Sequence, residues 1–71
     1  MNIFEMKSIA EAAAFDVLTP GVSCLILVSS DGKFLPCEKE REAKAASREL
    51  EGSRVFRCTM SEDSEITVTL A

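Results

Sequence analysis

The chain has no histidine, tyrosine or tryptophan among its 71 residues. Histidine is the side chain that titrates closest to neutrality, and it is the commonest metal ligand. Without it, general acid–base catalysis would need a strongly shifted carboxylate, lysine or thiol, and a Cys–His pair cannot form. The sequence therefore predicts a protein that is not an enzyme, with no catalytic residue, no cofactor and no metal site.

The chain lacks paired cysteines as well, since it has three, an odd number. Cys24, Cys37 and Cys58 lie far apart and form no CxxC pair. No stretch resembles a signal peptide, and no apolar run approaches the ~20 residues that span a bilayer. These features predict a reduced, cytoplasmic protein that does not interact with membranes.

Basic residues are too few and too scattered for a nucleic-acid-binding face. Twelve acidic and eight basic residues give a net charge of −4, and the acidic excess lies toward the two ends of the chain. Strand alternation would place Arg54 and Arg57 on opposite faces. Binding to a phosphate backbone needs a concentrated basic face, so direct contact with nucleic acid is not expected.

The length allows a single domain, residues 1–71. Ser8 and Glu11 match a capping box, and the alanines that follow favour a helix at about residues 8–17. A short extended lead over residues 3–6 could precede this helix. Thr19-Pro20-Gly21 ends it, because proline disfavours a helical residue before it.

The run from Val22 to Ser29 is apolar at both alternating sets of positions, which predicts a central strand covered on both faces. Ser30-Asp31-Gly32 predicts a tight primed turn, since glycine adopts positive φ freely. The returning strand, residues 33–35, is short and lies at an edge, because Pro36 cannot donate a ladder hydrogen bond.

The second half predicts a helix over residues 38–50 with Cys37 as its N-cap, followed by strands 53–60 and 65–70 around a polar turn. The helix would bury Lys39 (by its stem), Ala43, Ala46 and Leu50. The order is αββαββ, an α+β fold with two helices and a mostly antiparallel four-stranded sheet. Strand orders 2-1-3-4 and 2-1-4-3 both fit.

Two groups of residues are candidates for function. A thiol at a helix N-terminus can be nucleophilic, but the glutamates near Cys37 oppose the thiolate, so a structural role is favoured. The cluster Glu62, Asp63 and Glu65 lacks the glycine bend and ligand number of a calcium loop. A solvated turn or a surface for a basic protein partner both explain it.

The segment from Val28 to Leu50 contains Ser-Ser-Asp-Gly-Lys-Phe-Leu followed by a Glu/Ala-rich helix. It resembles the ββα unit of small phage and mobile-element proteins and is similar in outline to antitoxin half-barrel domains. As a short, acidic, histidine-free chain it resembles the anti-CRISPR inhibitors in particular.

The resemblance implies a non-catalytic inhibitor that binds a CRISPR effector subunit or another host nucleic-acid-binding protein in the bacterial cytoplasm. An acidic surface would then compete with DNA or block a subunit. The alternative is a small homodimeric structural or regulatory protein that pairs through the uncharged edge of its last strand; the sequence leaves monomer and homodimer open. The residues expected to bind a partner are Glu62, Asp63 and Glu65, then Glu5, Glu11 and Asp16.

Overall fold

The computed structural model describes all 71 residues, Met1–Ala71. All strand pairs are antiparallel, and the sheet order is β2-β1-β3-β4. The predicted α+β fold and its αββαββ order are confirmed, with the first of the two strand orders. The elements are α1 (Ile3–Val17), β1 (Ser23–Val28), β2 (Phe34–Cys37), α2 (Glu40–Glu49), β3 (Arg54–Met60) and β4 (Ile66–Leu70).

The central strand β1 is covered on both faces, as its apolar run predicts. Ile26 and Val28 belong to the larger core beneath α1, and Leu25 and Leu27 belong to a smaller core beneath α2. All four side chains are buried. The two helices therefore lie on opposite faces of the sheet, and β1 carries both cores.

The first helix begins five residues before the predicted start. The Asn2 side chain accepts a hydrogen bond from the Glu5 backbone N–H at 2.9 Å, so asparagine is the N-cap. Ser8 lies inside the helix, where its hydroxyl donates to the Phe4 carbonyl at 3.1 Å. The predicted capping box and extended lead are wrong, because Asn2 is already a favoured capping residue next to an apolar helix start. The predicted end at Val17 is correct.

The β1–β2 hairpin forms where Asp-Gly predicts it, but the turn is not a primed one. The Ser29 N–H donates to the Lys33 carbonyl at 2.8 Å across a three-residue loop, and only Gly32 has positive φ, at 89°. The Ser29 hydroxyl binds the Asp31 carboxylate and accepts from the Lys33 N–H at 3.1 Å. These side-chain bonds stabilise a three-residue loop with a left-handed glycine, another common hairpin connection.

The second helix begins at Glu40, and its N-cap is Lys39, which makes no side-chain capping bond. The predicted N-cap, Cys37, is instead the buried last residue of β2, where it pairs with Leu25 of β1. That pairing holds Cys37 in the sheet, so the chain needs two further residues before it can turn into a helix. Within α2, Glu40 and Lys44 lie one turn apart and form an ion pair at 3.2 Å.

The buried face of α2 is narrower than predicted. Ala43 is fully buried and Ala46 half-buried, whereas Lys39 and Leu50 are exposed. Since the packed positions are alanines, the helix lies close to the sheet. It contacts β1, β2 and β3 but not β4, which leaves the last strand uncovered on this face.

Candidate functional site

One end of the sheet collects five carboxylates. Neighbouring strands of an antiparallel sheet run in opposite directions. The starts of β1 and β4 and the ends of β2 and β3 therefore meet at the same end of this sheet. Asp16 lies in the last turn of α1, which leads into β1, and Glu38 directly follows β2. Glu62, Asp63 and Glu65 lie in the β3–β4 connection. We call this surface, formed by Asp16, Glu38, Glu62, Asp63 and Glu65, the acidic end.

Contacts between the connecting loops hold this end together. The Gly21 N–H, in the α1–β1 loop, donates to the Met60 carbonyl at 2.8 Å. A Cβ atom placed on Gly21 would lie 2.7 Å from Oε1 of Glu62. Glu38 and Leu18 line one shallow pocket of about 460 Å³. The loop after α1 thus joins the β3–β4 turn on one side and the end of β2 on the other.

The carboxylates of the acidic end have no ion-pair partners. The structure contains two ion pairs, Lys33–Asp31 at 3.9 Å and Lys44–Glu40 at 3.2 Å, and neither includes a residue of this end. All five residues are exposed. Lys39 directly follows Glu38 in sequence but forms no ion pair with any of the five. Because their charge is not neutralised locally, the carboxylates create a negative field that attracts a basic partner.

The structure brings together four of the six residues predicted to bind a partner: Asp16, Glu62, Asp63 and Glu65. Glu5 lies in the first turn of α1, at the opposite end of the molecule. Glu11 lies midway along the exposed side of the same helix. The predicted set is therefore a cluster with two outlying members.

Glu38 is the member of this surface that the sequence did not reveal. In sequence it belongs to a charged run that continues into α2, and that run suggests only the solvated face of a helix. Its position depends on the pairing of β1 with β2, which sets Cys37 opposite Leu25 and so leaves the next residue beside the start of β1. If the residues of β1 and β2 are paired outward from the Asp-Gly turn, the resulting hairpin register places Glu38 at this end of the sheet.

The three cysteines are free thiols in environments that disfavour the thiolate. Burial raises the pKa of Cys58 to about 11, and the nearby Cys24 adds to this shift. Burial and, secondarily, Cys37 raise the pKa of Cys24. Burial and, secondarily, Glu42 raise the pKa of Cys37. A nucleophilic cysteine needs a lowered pKa, so these shifts oppose the thiol-enzyme interpretation of Cys37.

Iodoacetamide at pH 7 is expected to label each of the three thiols more slowly than free cysteine, because the thiolate is the reacting species. Cys58 should be protected until the chain unfolds, since its side chain is fully buried. Mass spectrometry of timed samples, with and without urea, measures the rates. A Cys37→Ser chain serves as the control that assigns the signals. Labelling of Cys37 faster than free cysteine would contradict this expectation.

The fold and site define a small α+β domain whose buried side chains are all apolar and which has five of its twelve carboxylates at one end. No group of three or more carboxylates and cysteines is arranged to hold a metal ion. Neither helix has the length and apolar character needed to cross a membrane. Comparison of the chain with protein-family models, curated proteins and solved structures finds no match.

Proposed function

We propose that this chain is a non-catalytic binding protein whose acidic end docks on a basic surface of a larger nucleic-acid-processing complex. The observation that carries the proposal is the convergence of five exposed, unpaired carboxylates from three separate segments of the chain. Such a surface presents negative charges to arginines and lysines that otherwise hold phosphates. The raised thiol pKa values and the absence of histidine support a role that does not involve catalysis.

The mode of action that follows is inhibition by competition. A protein that occupies the basic channel of a nuclease complex prevents DNA from entering it, as anti-CRISPR-type inhibitors do. The host partner would then be a CRISPR effector subunit or a comparable nucleic-acid-binding protein of the bacterial cytoplasm. Electrostatic steering would make association fast at low ionic strength and slow at high salt.

Charge reversal at the β3–β4 turn is the direct test. We expect Glu62→Lys, Asp63→Lys and Glu65→Lys together to weaken binding to purified CRISPR effector complexes at least about 100-fold, mainly through a lower association rate. Surface plasmon resonance at several salt concentrations measures this, and excess duplex DNA should compete with the wild-type chain.

The matched control carries the same change of net charge at the opposite end: Asp31→Lys, Glu49→Lys and Glu51→Lys. Ser30 lies against Gly52, which places the β1–β2 turn beside the α2–β3 loop. We expect this control to bind nearly as well as the wild type. Equal binding by wild type, charge-reversed chain and control, or failure of all effectors to bind, would contradict the proposal.

A second candidate function, a homodimeric regulatory protein, is favoured by the free edge of β4. Backbone bonds from Ser61 N–H to Glu65 O and from Ala71 N–H to Val55 O show that odd-numbered residues of this region bond to β3. The N–H and C=O groups of Ile66, Val68 and Leu70 therefore face outward, on a strand without charge or proline. A strict monomer by light scattering at millimolar concentration would contradict edge pairing.

A further inference from the structure

A basic groove lies at the end of the sheet opposite the acidic end, between α2 and β4. Because α2 does not reach β4, a space of about 280 Å³ remains there. Among the residues that line it, Lys44, Arg48 and Arg54 are basic and none is acidic. Three of the eight basic residues of a chain with net charge −4 thus converge on one groove.

The convergence is produced by the fold and is not visible in the sequence. Lys44 and Arg48 are one helical turn apart, so they share a side of α2. Arg54 begins β3 and reaches the groove from the sheet. Strand alternation places Arg54 and Arg57 on opposite faces of the sheet. In the fold, Arg54 instead shares the groove with Lys44 and Arg48 of α2.

The arginines in the groove are not neutralised. Lys44 makes an ion pair with Glu40 at 3.2 Å, whereas Arg48 and Arg54 make none. A guanidinium with free N–H groups can bind two oxygens of a phosphate at once. Two unpaired arginines and a partly exposed lysine therefore form a fork that fits a phosphate better than a carboxylate, which has fewer oxygens to share.

A serine pair forms the floor of the groove. The Ser53 hydroxyl donates to the Ser47 carbonyl at 3.2 Å, and the two hydroxyl oxygens lie 3.0 Å apart. Since the single Ser53 proton goes to that carbonyl, the Ser47 hydroxyl donates to Ser53 Oγ, and it would exchange this bond for one to a bound anion. The opposing effect is the C-terminal end of α2, worth about half a negative charge, which the two unpaired arginines outweigh.

We propose that this groove binds the phosphate group of a small phosphorylated ligand. Its volume lies just below the range of about 300–1,000 Å³ typical of ligand pockets, which suits a phosphate with a small attached group. The proposal is independent of the acidic end, since the two sites lie at opposite ends of β3 and share no residue. In a chain that ends at Ala71, which also lines the groove, the terminal carboxylate would compete with the ligand.

The test is a titration followed by NMR chemical shifts at low ionic strength, with inorganic phosphate, pyrophosphate and adenosine monophosphate as probes. We expect saturable shifts of the Ser47, Arg48 and Ser53 amides, with a Kd of about 1 mM or tighter for the best probe. Arg48→Ala and Arg54→Ala should each weaken binding about tenfold, the effect of losing one charge-assisted hydrogen bond. A neutral extension after Ala71 should strengthen it.

The control is Lys7→Ala with Lys39→Ala, which removes two positive charges away from the groove and should change the affinity less than about twofold. The absence of saturable shifts at 10 mM probe, on the order of the weakest binding that would matter, would overturn the proposal. So would equal weakening by the control. The proposal would also be overturned if a single-stranded oligonucleotide shifted the same amide signals and bound at least about 100-fold more tightly, with a steep salt dependence. The ligand of the groove would then be nucleic acid.

Discussion

Replacement of Phe56 by alanine is expected to remove about 3–5 kcal/mol of unfolding free energy. Phe56 is the largest of the fully buried side chains, at 1% exposure, and it lies on β3 between Ile26 and Leu70 in the core beneath α1. A 71-residue domain has about 4–11 kcal/mol in total, at roughly 0.05–0.15 kcal/mol per residue. The loss is thus at least about a quarter of the unfolding free energy, and near the lower bound it is all of it. Urea denaturation followed by circular dichroism measures it.

The matched control is Phe4→Ala. Phe4 lies in α1 with 77% of its surface exposed, so its truncation removes the same atoms from water rather than from a core. We expect a change within about 0.5 kcal/mol, as for most surface substitutions. A loss at Phe4 comparable to the loss at Phe56 would show that the outer side of α1 is covered in solution, by a second copy or otherwise.

The sequence predicted the elements whose patterns are local. The run from Leu25 to Val28 is apolar at every position, and no other stretch of the chain could be a strand covered on both faces. The uncharged edge of β4 and the edge position of Pro36 follow from equally short patterns. These parts of the fold depend on neighbouring residues alone, so composition and alternation are enough to find them.

The helix starts were predicted less well. For α2, pairing with Leu25 keeps the predicted N-cap, Cys37, in the sheet, and for α1 two capping signals competed. Ser8 and Glu11 match a capping box, yet Asn2 bonds to the Glu5 N–H and begins the helix earlier. An additional turn of helix buries Met6 against the sheet, which a start at Ser8 would not do. Tertiary packing therefore decided between two local signals, and the sequence alone gives no measure of that packing.

The candidate sites likewise divide into those set by local sequence and those set by tertiary structure. Glu62, Asp63 and Glu65 are adjacent in sequence, so their cluster was predicted. Glu38 and the basic groove require knowledge of which strands pair and how far α2 reaches across the sheet. The groove exists because α2 does not reach β4. No pattern of neighbouring residues in the sequence indicates it, and only the assembled fold reveals it.

The two candidate surfaces lie at opposite ends of the sheet. The acidic end lies where β3 ends, and Arg48 and Arg54 of the basic groove lie near where β3 begins. A net charge of −4 conceals this separation. The two proposals therefore predict different binding locations: a basic protein should bind at one end of the molecule, and a phosphate at the other.

Enlargement of Ala10 to leucine is expected to be the second most damaging of these changes. Ala10 is fully buried, and its carbonyl lies 3.9 Å from the Cys58 sulfur, so the backbone of α1 approaches β3 closely at this point. Three added carbon atoms have no space unless the helix moves away from the sheet. Overpacking of this kind costs about 1–3 kcal/mol, which lowers the Tm by roughly 4–8 °C per kcal/mol in a domain of this size.

Ala12→Leu provides the comparison, because Ala12 is exposed on the same helix and the substitution is identical. Alanine and leucine have similar helix propensities, so the helix itself should be almost unaffected at either position. Thermal unfolding of the two chains side by side isolates the packing contribution. If their Tm values agree within about 2 °C, equivalent to less than 0.5 kcal/mol, then α1 does not press against β3 at Ala10. If Ala10→Leu alone unfolds early, small residues on this side of α1 are what allow the helix to lie flat on the sheet.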